Sequence, residues 1–198
     1  SIWYGRQEKI FGTDEERYLL SQYTKQAIDF AEAVGCHNLV FGCPRNRYIP
    51  DGMSTGSAKS IALVFFHHLG EYATKHHTVI GMEANPPIYN TNFINSTLDA
   101  LELVKEVDSN GFKLNLDIGT MVQNKEDVSI IDKNVCMINH VHISEPYLKS
   151  IKRRNIHKKI ITLLQNYRYK GFISIEMGRT ENIKNIKYAI KYIHEFLR

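Results

Sequence analysis

Short apolar runs alternate along the chain with longer segments whose apolar residues recur at helical spacing. The apolar runs have strand character. They lie at residues 38–43, 78–82, 112–116, 137–141 and 172–175, and residues 2–4 form a candidate sixth. The first of the five contains the sequence LVFGC, and an unbroken run of this kind is typical of a strand buried on both faces. Five to six buried strands are therefore predicted.

Amphipathic helices are predicted between these strands. They fall near residues 14–35, 54–77, 95–109, 126–134, 150–167 and 182–197. Asp14 and either Ser54 or Thr55 are suited to begin the first two, because short polar side chains cap helix N-termini. Gly35 and Gly171 are suited to follow helix ends. Strands and helices alternate with no linker-like segment between them.

Alternating strands and helices predict an α/β fold with parallel strands joined by right-handed crossovers. A closed eight-stranded barrel typically needs about 250 residues, and this sequence has 198. We therefore expect one incomplete, TIM-barrel-like domain over residues 1–198, lacking the first strand–helix units of a full barrel. An open parallel sheet is the alternative. Exposed sheet edges invite pairing, so a homo-oligomer is also expected.

Composition is that of an ordinary globular protein, with 43% hydrophobic and 23% charged residues. The longest apolar stretch, residues 61–66, is too short to cross a membrane. Cys36, Cys43 and Cys136 have no CxxC spacing, so reduced thiols and a cytoplasmic location are expected. No membrane partner is predicted.

Positive charge is concentrated near the C-terminus. Residues 149–198 hold 13 Lys and Arg against 3 Asp and Glu, although the whole chain carries a net charge of only +4. This segment could attract phosphate or nucleic acid. However, aromatic residues do not interleave the basic run as a single-strand binder requires. We interpret the charges as the solvated faces of two helices and predict no nucleic-acid partner.

Polar residues directly follow four of the predicted strands. They are Glu83, Asp117, His142 and Glu176, spaced 34, 25 and 34 residues apart. In a parallel barrel the carboxyl ends of the strands surround one mouth, where active sites lie. Three carboxylates and an imidazole meeting there would bind a divalent cation such as Mn, Co, Mg or Zn. Alternatively, Asp117 only caps the next helix and His142 is a hydrogen-bonded histidine of the core or surface.

Five further residues near this mouth are candidates for substrate binding. Arg45 and Arg47 follow the first strong strand and could clamp a carboxylate, a phosphate or hydroxyls, or simply pair with nearby acids. Asn85 lies two residues after Glu83. His140 precedes His142 by two residues and so faces the same side of its strand, and Glu145 begins the following loop.

Five local strings resemble the xylose-isomerase-like TIM-barrel superfamily, and in particular its bacterial sugar phosphate isomerase/epimerase proteins. They are LVFGCPRNR, GMEANPP, LNLDIGTM, HVHISEPYL and GFISIEMG. The resemblance covers nearly the whole chain and corresponds to the family barrel without its N-terminal units.

The resemblance implies a division of roles among the four strand-end residues. Glu83, Asp117, His142 and Glu176 would hold one divalent ion, commonly Mn or Co. Glu83 and Glu176 would also transfer protons through an ene-diolate of a small-molecule sugar or sugar phosphate.

Two positions depart from the epimerase pattern. Thr120 stands where family epimerases often have a histidine three residues after the aspartate ligand, and Leu148 stands where they commonly have a substrate-binding arginine. Two other functions therefore stay open: a metal phosphoesterase of the endonuclease IV type, which needs more histidines, and a truncated barrel without catalysis.

Overall fold

Five parallel strands and six α-helices alternate through the residues that the structure, a computed structural model, describes: 2–180 and 182–196. They form a TIM-barrel-like half-barrel. The strands are β1 Leu39–Phe41, β2 Ile80–Glu83, β3 Phe112–Asp117, β4 Ile138–Ile143 and β5 Phe172–Ile175. The helices are α1 Asp14–Ala33, α2 Thr55–Lys75, α3 Thr97–Val107, α4 Ile118–Asn124, α5 Asn155–Asn166 and α6 Ile183–His194.

The strand order in the sheet is the order of the strands in the chain, β1-β2-β3-β4-β5, and all neighbours are parallel. One helix lies in each crossover between strands, which confirms the predicted α/β class. The register places Glu83 beside Asn115 and Asp117 beside His142, after a shift between Leu114 and Asn115. The carboxyl ends of all five strands therefore lie at one edge of the sheet.

The core lies between the sheet and the helices that cover it. Phe66 of α2 stacks on Phe112 of β3 with ring centroids 4.8 Å apart, and it meets Phe41 of β1 edge-on at 5.1 Å. All three rings are buried. Aromatic pairs of this kind add to the stability given by apolar burial. They fix α2 against β1 and β3.

Residues 2–4 form a turn, so five of the predicted five to six strands are present. The backbone N–H of Ile2 donates to Val40 O of β1 (3.2 Å), but the pairing goes no further because Gly5 turns the chain at a φ of +86°. Trp3 is instead buried, and its indole N–H donates to Thr24 Oγ1 (2.8 Å). Its apolar character serves the core rather than a strand.

Two helix starts differ from the sequence prediction. Thr13, rather than Asp14, caps α1, because its side chain and that of Glu16 form a reciprocal capping box. The prediction of a helix near residues 126–134 is wrong. The helix between β3 and β4, α4, begins earlier, at Ile118, and the chain after it forms only short 3₁₀ turns at Val128–Ile131 and Val135–Met137. The early start follows from Asp117, whose carboxylate accepts the Thr120 N–H and caps α4.

Candidate metal centre

Four strand ends bring their polar side chains together at the carboxyl edge of the sheet. Glu83 ends β2, Asp117 ends β3, His142 lies one residue before the end of β4, and Glu176 follows β5. Each of these residues offers one ligand atom, and the four atoms lie within 4.8 Å of one another. The sheet register causes this convergence, since Asp117 lies beside His142 and Glu176 N donates to Ile143 O.

The His142 imidazole lies between two carboxylates. Its Nδ1 is 2.9 Å from Glu83 Oε1 and 3.3 Å from Glu176 Oε2. Burial alone would lower the pKa of His142, but hydrogen bonds to Glu176 and Glu83 outweigh it and raise the pKa to about 10. The hydrogen bond to His142 in turn lowers the pKa of Glu176 despite partial burial. The protonated imidazole thus supplies the positive charge between the two glutamates that a bound cation would otherwise supply.

Asp117 has a structural contact on each oxygen. Oδ1 accepts from Thr120 N (2.6 Å), and Oδ2 accepts from Ser144 Oγ (2.5 Å). Ser144 Oγ also accepts from Gly119 N (2.8 Å). Burial, with a smaller contribution from the charge of Glu83, raises the pKa of Asp117 to about 7. The residue is both the cap of α4 and a member of the cluster, so its capping role does not exclude the predicted role as a ligand.

The donor set fits a divalent cation. Three carboxylates and one imidazole, once it has lost its proton, are hard oxygen and borderline nitrogen ligands, the set that Mn, Co, Mg or Zn accepts. Burying several carboxylates together is costly unless a cation balances them, and the raised pKa of Asp117 reflects that cost. Asn115 contacts Glu83 and His142 through its Nδ2, and its Oδ1 is buried without a hydrogen-bond partner.

Neighbouring residues fix the Glu83 carboxylate. Asn115 Nδ2 donates to Oε1 (2.8 Å), and Asn85 Nδ2 approaches Oε2 (3.5 Å). Gly42, just after β1, leaves the space: a Cβ there would lie 2.2 Å from Glu83 Oε2. Gly42 was missed from sequence, although a glycine at a strand end often marks a close approach by another group.

Arg47 is directed into the protein. It is fully buried, and its guanidinium donates to Glu83 O (2.8 Å) and to Asn85 Oδ1 (2.7 Å). Burial lowers the pKa of Arg47 to about 10, with the charge of Glu83 opposing the shift. Its contacts hold the end of β2, whereas the nearby Arg45 is exposed.

His140 and Glu145 are engaged by protein groups. His140 Nε2 is 2.9 Å from Ser174 Oγ, and its ring centroid lies 5.2 Å from that of His142. Burial, and then the neighbouring His142, lower the pKa of His140. Glu145 is buried and accepts from Arg154 Nε (2.7 Å) and Nη2 (2.6 Å) through its two oxygens. The structure thus brings His140 close to the four strand-end residues and pairs Glu145 with an arginine of its own chain.

The fold and the carboxylate–histidine cluster define an α/β barrel protein with a candidate metal centre. A family profile described as xylose isomerase-like TIM barrel matches residues 11–196. The chain therefore belongs to the xylose isomerase-like TIM-barrel family, as its motifs predicted. No curated protein matches its sequence significantly.

Solved structures share this fold. The structure of 3-keto-D-glucoside 4-epimerase from E. coli is similar, with a TM-score of 0.77 and 17% identity. The match covers 96% of this chain and 76% of the epimerase. D-allulose 3-epimerase from Methylomonas sp. has a TM-score of 0.73 and 21% identity over 89% of this chain, which spans 62% of that protein. An AP endonuclease of family 2 from Brucella melitensis has a TM-score of 0.77 and 16% identity over 96% of this chain and 74% of its own. At these identities the similarity establishes the fold.

No helix within residues 2–180 and 182–196 is both long and apolar enough to cross a membrane.

Proposed function

We propose that this protein is a metal-dependent isomerase or epimerase of a sugar or sugar phosphate. The observation that carries the proposal is the convergence of Glu83, Asp117, His142 and Glu176 within 4.8 Å at the carboxyl edge of the sheet. Sugar epimerases are among the structures with the same fold. The proposed location is the cytoplasm, consistent with three cysteines that are not in disulfides.

Asp117 and His142 would hold the ion together with the two glutamates. Ser144 and the N-terminus of α4 orient Asp117, and the two carboxylates beside His142 orient the imidazole. When bound, a divalent ion would supply positive charge that stabilises the negative charge formed on the substrate oxygens during enolisation. Hydrogen bonds to a ligand from residues outside the ligand set, such as that of Ser144, commonly influence metal affinity.

Glu83 and Glu176 would move the substrate proton. One carboxylate removes the proton from the carbon next to the sugar carbonyl, giving an ene-diolate, and the other delivers a proton to that intermediate. Their environments differ: the side chain of Glu83 is 10% exposed and that of Glu176 is 40% exposed. Glu176 is therefore the one more accessible to solvent exchange.

Substrate contacts differ from those of the epimerase pattern at two positions. Thr120 Oγ1 donates to Ala84 O (2.9 Å), so this hydroxyl is used within the protein. Leu148 lies at a φ of +51°, and its carbonyl accepts from Gly178 N (2.7 Å). We infer that substrate recognition uses other groups, and that Asn85 and His140 line the substrate side of the centre.

The test combines metal content with proton exchange. Purified protein is expected to contain about one Mn, Co, Mg or Zn ion per chain. In deuterium oxide, deuterium should enter the carbon beside the carbonyl of a ketose. Glu176→Gln should slow this exchange at least about 100-fold, as expected for loss of a general acid or base. Glu102→Gln, on the exposed face of α3, is the matched control. If Glu176→Gln changed neither metal content nor exchange, the site assignment would be wrong.

A second candidate, a metal phosphoesterase of the endonuclease IV type, is kept because an AP endonuclease of family 2 shares the fold. That chemistry needs several metal-binding histidines, whereas the cluster found among the described residues has one. About three zinc ions per chain with cleavage of abasic DNA would favour this candidate. A bound ion without proton exchange or DNA cleavage would favour a barrel that only binds.

A further inference from the structure

A cavity with a volume of about 520 Å³ lies at the carboxyl ends of β1 and β2. This volume is within the range of small-molecule sites. The short turns Pro44–Arg47 and Pro87–Tyr89, which follow those strands, each contribute to its wall. Because these turns lie on the same edge of the sheet as the metal centre, a ligand at that centre could extend into this space. We refer to it as the Arg45 cavity.

Two cations line the Arg45 cavity. The Arg45 guanidinium is exposed and makes no hydrogen bond or ion pair with any residue of the described chain. Lys9 Nζ donates to Arg45 O (2.8 Å), which places the ammonium on the same turn and leaves further N–H donors available. Glu16 contacts this segment, but its two oxygens accept from Lys9 N (3.2 Å) and Thr13 N (2.8 Å).

The charge of the cavity differs in sign from that of the metal centre. Within the described ranges no acidic side chain lines the Arg45 cavity, whereas three of the four candidate metal ligands are carboxylates. Arg47, two residues from Arg45, is buried, and its guanidinium donates to Glu83 O and Asn85 Oδ1 instead of lining this cavity. The positive charges of Arg45 and Lys9 are therefore available to an anionic group of a ligand.

Aromatic rings complete the wall of the cavity, and Tyr89 also contacts the loop after β4. Tyr48 and Phe11 line the cavity with Tyr89. Burial raises the pKa of Tyr89, the hydrogen bond from Tyr147 N (2.8 Å) opposes the shift, and the negative charges of Asp117, Glu176 and Glu83 add to it. Tyr147 lies in the loop after β4, so this hydrogen bond joins the wall of the cavity to the strand that carries His142.

We propose that the Arg45 cavity binds a terminal anionic group, a phosphate or a carboxylate, of the sugar whose carbonyl end lies at the metal centre. The sugar part of this inference rests on the proposed function, whereas the anion site does not. Arg45 and Lys9 bind the anion, and the tyrosine rings contact the apolar face of the sugar. The substrate class is accordingly a sugar phosphate or a sugar acid rather than a neutral sugar.

The anion site can be tested without any catalytic activity. Inorganic phosphate is titrated into metal-free protein, so that phosphate cannot bind through the ion. Arg45→Ala is expected to weaken phosphate binding about 10- to 100-fold, the loss of one or two charge-assisted hydrogen bonds, and Lys9→Gln should weaken it less. Arg168→Gln removes the same charge near the opposite end of the sheet, just before β5, and should have no effect. Equal phosphate affinity in the wild type and Arg45→Ala, or no phosphate binding at all, would overturn the proposal.

The second measurement tests the substrate class. Binding of fructose, fructose 6-phosphate and glucuronate is compared on metal-loaded protein. Tighter binding of either anionic sugar by about tenfold or more, lost in Arg45→Ala, supports the site and identifies phosphate or carboxylate as its group. Equal affinity for all three compounds would refute the inferred substrate class. This measurement of binding does not depend on catalysis. Absence of deuterium exchange would therefore contradict the proposed isomerase function without affecting the conclusion about the anion site.

Discussion

Gly42 is expected to control metal affinity through the space that it leaves for Glu83. A Cβ at this position would lie 2.2 Å from Glu83 Oε2 and 3.1 Å from its Cδ. Ordinary contacts of a Cβ begin near 3.4 Å. The carboxylate in Gly42→Ala must therefore move by about 1 Å, and metal–ligand distances tolerate only about 0.2 Å. We expect the apparent affinity for Mn²⁺ to fall by about 10- to 100-fold, or about 1.4–2.8 kcal/mol.

The fold should survive this substitution. Gly42 has no left-handed backbone conformation, and the nearest group is the end of a flexible side chain. The free energy of unfolding of the metal-free protein should change by no more than about 1 kcal/mol. Calorimetric titration of Mn²⁺ and urea unfolding of the metal-free protein measure the two quantities separately.

Gly56→Ala is the matched control for Gly42→Ala. A Cβ at this exposed position of α2 would meet only Ser54 Oγ, at 3.9 Å. It should leave Mn²⁺ affinity unchanged and stabilise the helix by about 0.5–1 kcal/mol. The reasoning about Gly42 is refuted if Gly42→Ala binds Mn²⁺ within twofold of the wild type, or if both glycine variants lose affinity equally.

Three further predictions concern acidity and association. Ser144→Ala removes a donor to Asp117, so the pKa of this carboxyl should rise above about 7. Mn²⁺ affinity measured by titration should then fall about tenfold at pH 7 and recover towards pH 9. A loss of affinity that does not depend on pH would contradict this prediction. Burial lowers the pKa of His157 to about 4, so on acidification the unfolded chain binds this proton before the folded protein does. The free energy of unfolding should therefore decrease as pH falls from 6.5 to 4, by roughly 3 kcal/mol at most. Urea unfolding of His157→Gln should depend less on pH, and an unchanged pH dependence would show that His157 is not the cause. Phe172 is 75% exposed on the edge strand β5, so the protein should self-associate through this edge. Phe172→Lys should shift the mass measured by light scattering towards that of the monomer. Identical masses for the variant and the wild type would show that this edge is not the interface.

The convergence of the four strand-end residues could be predicted from sequence because it depends on few variables. Apolar runs locate the strands, and alternation with helices makes the strands parallel, so polar residues at their carboxyl ends must share one edge. His142 shows the limit of this reasoning, since it lies inside β4 rather than after it. The sheet register, including the shift before Asn115, decides which atoms meet.

Side-chain direction outside the strands could not be predicted in the same way. Arg45 and Arg47 lie in one 3₁₀ turn, yet one side chain is exposed and the other is fully buried. The sequence pattern has no fixed period in such a turn, so it does not indicate which arginine faces the core. Glu145 pairs with Arg154, nine residues later, because the intervening loop folds back before α5. Hydrophobic periodicity does not predict the path of this loop.

The proposed double use of Asp117, as a metal ligand and as the cap of α4, affects how this site can change during evolution. A substitution that removes its carboxylate also removes the cap of α4 and the partner of Ser144. A lineage that lost the chemistry would therefore still be under selection to keep an acceptor at this position. Asparagine is the replacement that keeps a capping oxygen while losing the negative charge. In a metal-free descendant, the change Asp117→Asn would record a former ligand that had been retained as a helix cap.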